Sequence, residues 1–441
     1  MKRFGLLLGA VVWIALGAGI LALMFAGIFG VRLPHFTDIP VLGGLSVSLN
    51  SGTKILGWGA DTLVKQESFD VAGVEKIEFD ARYYDLNVAF TDGAEMTVKQ
   101  YDINADNPFN STKSNGKIYV GVDPFSIYSI TFFGIHNQRI DIEMPRQWAR
   151  DVSLNTGSGT IKINRAPEWN AVALSSGSGG IRLDGGIKCL SLEIRAKSGS
   201  VKTGGAIQAG EVSITTTSGS QNLDGIDAGG NAALNSSSGS IYLGDASASD
   251  FEIKTRSGGM RVGKITAIGD IALESTSGSI NGSDLKAENV AVNSSSGSIK
   301  FGDIAAAGDT QIKSRSGGQN MGKLRSGRFY LNSGSGTLRY DGIAGNGEII
   351  TRSGSINCDA LDIAGDSTVS SLSGAVRLTL ERGVACGVRV ETVSGAIRAA
   401  DGLGLAFSDG KRRKASGGVG DNPVGMLDIS TTSGGVYLET K

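Results

Sequence analysis

The stretch Leu234 to Leu243, LNSSSGSIYL, decides how the chain is read, because close variants of it recur along the C-terminal two-thirds. LNTGSGTIKI begins at Leu154, LSSGSGGIRL at Leu174, LESTSGSING at Leu273 and VNSSSGSIKF at Val292. The Gly of each Ser-Gly step marks one period: Gly159, Gly179, Gly199, Gly219, Gly239, Gly258, Gly278, Gly297, Gly317, Gly336, Gly354, Gly374, Gly395 and Gly434. The interval stays between 18 and 21 residues up to Gly395, and the last is 39. A fixed period of this length is the signature of a solenoid, in which no repeat buries a core alone.

Side chains of a strand alternate faces, so the phrase can be read by parity. Five residues before each marker Gly stands Leu, Ile or Val in all fourteen copies; three before it stands Ser, Thr or Ala, and one before it always Ser. These share a parity and are expected to point inward together. Two after the Gly the residue is apolar in twelve of fourteen copies, with Gln221 and Gln319 the exceptions. The opposite parity is polar, as in Asn155, Asn235, Lys254 and Asn293. A helix would need apolar positions three and four apart, and Ser, Thr and Gly are poor helix formers. The prediction is a long all-β, right-handed, parallel β-solenoid with rungs of about 20 residues. Each rung holds two or three short strands, with the marker Gly at a corner where it can take a positive φ.

The invariant Ser is not read as a nucleophile. Catalysis needs one base held against one hydroxyl, whereas here fourteen equivalent serines recur in repeats that contain no His. Inward hydroxyls are expected instead to satisfy corner backbone groups and one another.

Composition agrees with a chain of many corners: 66 of 441 residues are Gly, about twice the usual share of roughly 7%. The formal charge of -1 gives no global field for nucleic acid. Cys189, Cys358 and Cys386 have neither metal-ligand nor redox spacing and read as small buried thiols. His35 and His136 are the only histidines, far apart and outside the repeats, so no metal site is expected, and no Gly-rich loop leads into a helix that could hold a nucleotide cofactor.

Four segments follow. Residues 1–31 form a cytoplasmic stub and a transmembrane anchor: after Lys2 and Arg3 the run Phe4 to Val31 is uncharged for 28 residues, against roughly 20 needed to span a bilayer and about 7 to 15 in a cleavable signal. The basic stub places the N-terminus in the cytoplasm and the remainder outside it. Residues 32–67, with Pro34 and Pro40, read as a juxtamembrane linker with a short amphipathic element. Residues 68–150 read as an N-terminal β cap of irregular rungs. Of the chain's 28 aromatic residues 19 lie before position 151, alternation is clear in Val74 to Phe79, Leu86 to Phe90, Met96 to Tyr101 and Ile118 to Val122, and Asp92-Gly93 suits a hairpin turn. The run Phe125 to Ile135 reads as core of that cap, with a lip toward membrane or partner as the alternative.

Residues 151–441 are the repeat array. Between Gly395 and Gly434 lies either a degenerate rung with an inserted basic loop, Lys411-Arg412-Arg413-Lys414, or one long loop. The final strand, about Gly435 to Glu439, is expected to leave an open edge.

Phe69-Asp70 followed by Val74-Glu75-Lys76-Ile77-Glu78-Phe79, the strand and turn around Leu86 to Met96, and Met144-Pro145 leading into Val152 to Ile161 together resemble the bacterial putative-adhesin domain family. The resemblance spans residues 68 to 441. It implies β-helical repeats, a place in the cell envelope, no named ligand and no catalytic residue to carry over.

The residues themselves offer one candidate site. Three after each marker Gly, on the outward parity, stand Lys162, Arg182, Lys202, Arg261, Lys300, Arg339, Arg377 and Arg398, interrupted by Asn222, Asn281, Asn320, Asn357 and Tyr242. Such a strip either keeps sheets from pairing sideways or meets an anionic envelope polymer. The expected function is therefore non-enzymatic adhesion or envelope interaction. One alternative is an envelope-sensing scaffold working with another membrane protein. The other is a polysaccharide-active enzyme using Asp184, Asp224, Asp245 and Asp303, although carboxylates repeated on many rungs point to corner hydrogen bonds.

Overall fold

The structure, a computed structural model, describes residues 62–102, 108–123 and 138–441, with the backbone of two short antiparallel strands, Ile39–Val41 and Leu45–Val47. The expected anchor, His35, His136 and the run Phe125 to Ile135 lie outside the described residues. Among the described residues the only helical element is a 3-10 turn, Asp401–Leu403, and no helix is long and apolar enough to cross a membrane.

The described chain is a parallel β-solenoid with three strands per rung. One rung runs Phe251–Thr255, Met260–Val262 and Ile265–Ala267, and the next runs Asp270–Ser275, Ile280–Gly282 and Leu285–Ala287. Equivalent strands pair in parallel, with Ile253 opposite Leu273, Met260 opposite Ile280 and Ile265 opposite Leu285. Parity holds along the first two strands. Every residue five before a marker Gly is buried, and so is every residue two after it. Gln221 and Gln319 are buried too. Their side-chain amides donate to the Asn235 and Asn332 carbonyls, each at 2.7 Å, and Gln319 accepts a bond from Tyr340 Oη at 2.5 Å.

The Ser-Gly step is the first corner, but its glycines are not there for their φ. None of the fourteen is among the positive-φ residues. Instead, a Cβ on Gly179, Gly278 or Gly374 would fall under 3.0 Å from the carbonyl of the marker Gly one rung below, and the same holds along the column down to Gly159, where the Tyr84 carbonyl takes that place. Backbone hydrogen bonds continue through the bend, for example Ser198 N to Gly177 O at 2.9 Å, and draw the rungs together there.

Two serine positions also separate. The residue three before the Gly is buried in every copy, and where it is Ser or Thr, as in all copies but Ala196, its hydroxyl can fasten the bend: Ser176 Oγ donates to Gly179 O at 2.7 Å, and Gly374 N donates to Ser371 Oγ at 2.8 Å. The Ser one before the Gly, expected inward, is exposed in all fourteen copies. The first strand ends two residues earlier, so its alternation stops before reaching that serine.

The other corners use carboxylates and amides. Asp245 Oδ1 and Asp303 Oδ1 accept the Lys264 and Lys323 amides of the next rung, each at 2.8 Å, and Asp250 Oδ1 accepts Asp270 N at 2.8 Å.

Both ends of the stack depart from chain order. At the N-terminal end the rung Lys76–Asp80 and Asp85–Thr91 lies between Lys117–Gly121 with Arg139–Pro145 on one side and the Asp151–Thr156 rung on the other. Glu95–Asp102 closes on Arg139–Pro145 and Asn110–Ser114 on Lys117–Gly121, both antiparallel. Thr62–Asp70 adds to Glu95–Asp102, so this cap begins within the stretch read as linker. Most of that strand is exposed, so hydropathy does not betray it. Phe79, Phe109, Met96 and Met144 fill the interior, and Trp148 Nε1 donates to Val74 O at 3.0 Å.

At the C-terminal end the last strands of the sequence, Met426–Thr431 and Val436–Thr440, are not an edge. They lie between Ser367–Ser371 with Val376–Leu380 and Cys386–Thr392 with Ile397–Ala399, paired in parallel on both sides. Thr432 N donates to Ser371 O at 3.3 Å, Val436 N to Ala396 O at 3.0 Å and Val393 N to Thr431 O at 3.2 Å. Residues 403–425 are neither a rung nor one long loop. Lys414–Val419 runs antiparallel on Cys386–Thr392 and pairs with Ala406–Phe407, which covers the outermost rung. An antiparallel strand offers no equivalent partner for another rung, so the stack stops there.

Gly278→Ala is expected to destabilise the array by about 1 to 3 kcal/mol in urea unfolding, because backbone must move to admit the methyl. Gly229→Ala, where a Cβ meets nothing within 4 Å, should change little; equal effects would remove the close-approach explanation. Deleting residues 426–441 should strip hydrogen-exchange protection from Val393 and Ser394, whose amides donate to Thr431 and Thr432. Full protection in the truncated chain would contradict the inserted rung.

Candidate functional site

Each residue of the basic strip is the second residue of its strand, facing out between inward neighbours, as Lys300 does between the buried Ile299 and Phe301. Because the strands pair in register, these residues form one row: Lys162, Arg182, Lys202, Asn222, Tyr242, Arg261, Asn281, Lys300, Asn320, Arg339, Asn357, Arg377, then Tyr437 and Arg398. All eight predicted cations belong to it. The inserted rung places Tyr437 between Arg377 and Arg398, which would otherwise sit on adjacent rungs. Both guanidinium groups lie over the Tyr437 ring, at 4.8 Å and 5.6 Å from its centroid. Planar guanidinium groups held on an aromatic face keep their outer N–H groups free for an anion.

The row differs along its length. At the N-terminal end three cations occupy successive rungs, and Asp184 ion-pairs with Lys162 at 3.5 Å and with Arg182, which hold its carboxyl below the usual carboxylate range. From Arg261 onward a cation stands on every second rung, with Asn or Tyr between. Like charges directly opposite one another on neighbouring strands repel, and alternation avoids this. Lys202, Arg261, Lys300 and Arg339 form no ion pair among the described residues. Asp341, Asp359 and Glu439, two residues further along their strands, likewise pair with no member of the row. The outward neighbours on the corner side are small, Gly259, Ser279, Ser298, Gly318 and Thr337, so the cations stand as a ridge.

Across the Ser-Gly corner the first strands carry a groove of about 970 Å³ lined by Lys313, Arg315, Tyr330, Asn332, Arg352 and Leu372. Lys313 Nζ lies 5.0 Å from the Tyr330 ring centroid, and Asn332 Nδ2 donates to Tyr330 Oη at 3.0 Å. Arg256, Arg315 and Arg352 share the position two before the marker Gly. Parity within a strand says nothing of that position, which lies in the bend, and so the groove was not foreseen. The only signal available was that Arg recurs there.

The four aspartates weighed for catalysis stand on four different rungs, with Asp224 and Asp245 on neighbouring ones. Asp245 and Asp303 bond to backbone amides, and Asp184 is ion-paired. The three cysteines are free and buried. Burial pushes the Cys189 and Cys358 thiols up to about 12 and raises Cys386 as well. Raised folded-state values contribute stability that is complete below the unfolded thiol range and lost as pH rises toward 12. Denaturation midpoints should fall between about pH 9 and 12, and a thiol reagent at pH 8 should label no cysteine until the chain unfolds. Rapid labelling of the folded protein would contradict this burial.

These features define an elongated parallel β-solenoid with a basic row on one face, six of whose eight cations form no ion pair among the described residues. Residues 74–281 and 240–439 each match the family described as Toastrack DUF4097, and the chain belongs to that family. The two matches overlap at residues 240–281, where the rungs continue without a break. A putative cell adhesion protein from Clostridium sporogenes of known structure is 9% identical, with 86% of this chain and 99% of that one covered and a TM-score of 0.20. No curated protein matches the chain.

Proposed function

We propose that this protein is a non-enzymatic, membrane-anchored component of the cell envelope that presents its solenoid to an anionic envelope polymer. The observation that carries the reading is the basic row, with eight cations and no carboxylate among its fourteen Ser-Gly rungs; the register carries the column on through Asn87 to Asp141 only in the N-terminal cap. A row of equivalent cations suits a ligand that is itself a repeat. Each contact on an exposed face is weak, and many made by one chain add through effective concentration. The uncharged run Phe4 to Val31 behind Lys2 and Arg3 supports an anchor with the N-terminus in the cytoplasm and the array outside. A hydrolytic role is disfavoured, since the recurring carboxylates Asp245 and Asp303 already accept corner amides.

Replacing Lys300, Arg339 and Arg377 together by Gln is expected to weaken binding to acidic glycopolymers roughly tenfold at low salt, from about 0.5 kcal/mol per exposed contact. Added salt should weaken the wild type as well, and the melting temperature should stay where it is. Unchanged binding would remove the row from the function.

A further inference from the structure

The two-rung rhythm of the basic row carries information about the ligand. In stacking order the segment reads Arg261, Asn281, Lys300, Asn320, Arg339, Asn357, Arg377, Tyr437, Arg398. Five cations alternate with four uncharged residues over nine rungs. Parallel strands lie about 4.8 Å apart, so the cations recur about every 9.6 Å. In chain order the rhythm would fail at its end, because Arg377 and Arg398 belong to consecutive repeats. The inserted rung restores it by seating Tyr437 between them.

Resting on the reading that this row binds an anionic polymer, we infer that the polymer carries one negative group per two rungs, as a glycan does when an acidic sugar alternates with a neutral one. Charge spacing selects the partner in three ways. A polymer acidic at every unit would place half its charges opposite Asn281, Asn320 and Asn357, which compensate no charge. One acidic at alternate units meets a cation each time, and its neutral units meet amides able both to donate to and to accept from hydroxyl and acetamido groups. Tyr437 gives the last neutral unit an aromatic edge and a hydroxyl. Asp341, Asp359 and Glu439 flank the row without pairing with it, and they oppose a polymer whose charges are denser than the cations.

The test keeps net charge constant and moves the rhythm. In the full chain, Lys300→Asn, Asn320→Lys, Arg339→Asn and Asn357→Arg are combined, which leaves the total charge as it was. Binding is measured to hyaluronan, acidic at alternate sugars, and to polygalacturonate, acidic at every sugar. The wild type should prefer hyaluronan, and the shifted variant should lose roughly fivefold or more of that affinity while keeping its affinity for polygalacturonate. Equal hyaluronan binding by both proteins would overturn the spacing inference and leave the basic row standing. Wild-type binding to neither polymer would overturn both.

Discussion

Neighbouring rungs approach so closely at the Ser-Gly bend that no side chain fits between them, and the remaining architecture is arranged around that contact. The marker Gly of one rung lies against the carbonyl of the marker Gly below it, and a Cβ there would meet backbone that has nowhere to go. The inward hydroxyl three residues earlier is the companion device. It accepts the amide of its own bend or donates to a bend carbonyl, so a polar corner can be buried without orphaned groups. With the bend set, the strand on each side holds its parity, aliphatic residues fall inward, and outward residues line up from rung to rung.

A stack of equivalent parallel rungs has no natural end, and this chain solves the problem the same way at both ends. The rung nearest each end of the array in sequence is sandwiched one level in, and its sequence neighbour lies outermost, tied to the chain on both sides and closed by antiparallel strands. A frayed terminal strand would therefore need to break bonds along both of its edges. The arrangement also shapes the surface: the insertion that protects the C-terminal rung separates Arg377 from Arg398 and supplies the ring over which both lie.

Much of this was legible from residue pattern, since a period near 20 with two alternating parities admits few folds. The columns headed by Leu154 and Ile161 are buried as their spacing implied, and the outward column from Lys162 to Arg398 is one continuous row. What pattern could not supply was anything set by the spatial order of rungs. The repeats ending at Gly395 and Gly434 are alike in sequence, so nothing in their residues says which lies deeper. Parity also misled at Ser158 and its equivalents, because alternation is a property of extended backbone and the backbone bends before reaching them. The glycines were identified correctly as corner residues, but the reason is the neighbouring rung's carbonyl, which a one-dimensional reading does not contain.

The fold stands on nearest-neighbour stacking of the rungs in the order given above. It is tested most directly by methyl cross-relaxation in the full chain with labelled Ile, Leu and Val. Val376, Val436 and Ile397 occupy successive rungs of one buried column, so cross-peaks should join Val376 to Val436 and Val436 to Ile397. None should join Val376 to Ile397, about 9.6 Å apart at two strand spacings. A direct Val376 to Ile397 cross-peak, with Val436 joined to neither, would contradict the order of the rungs and the charge spacing that follows from it.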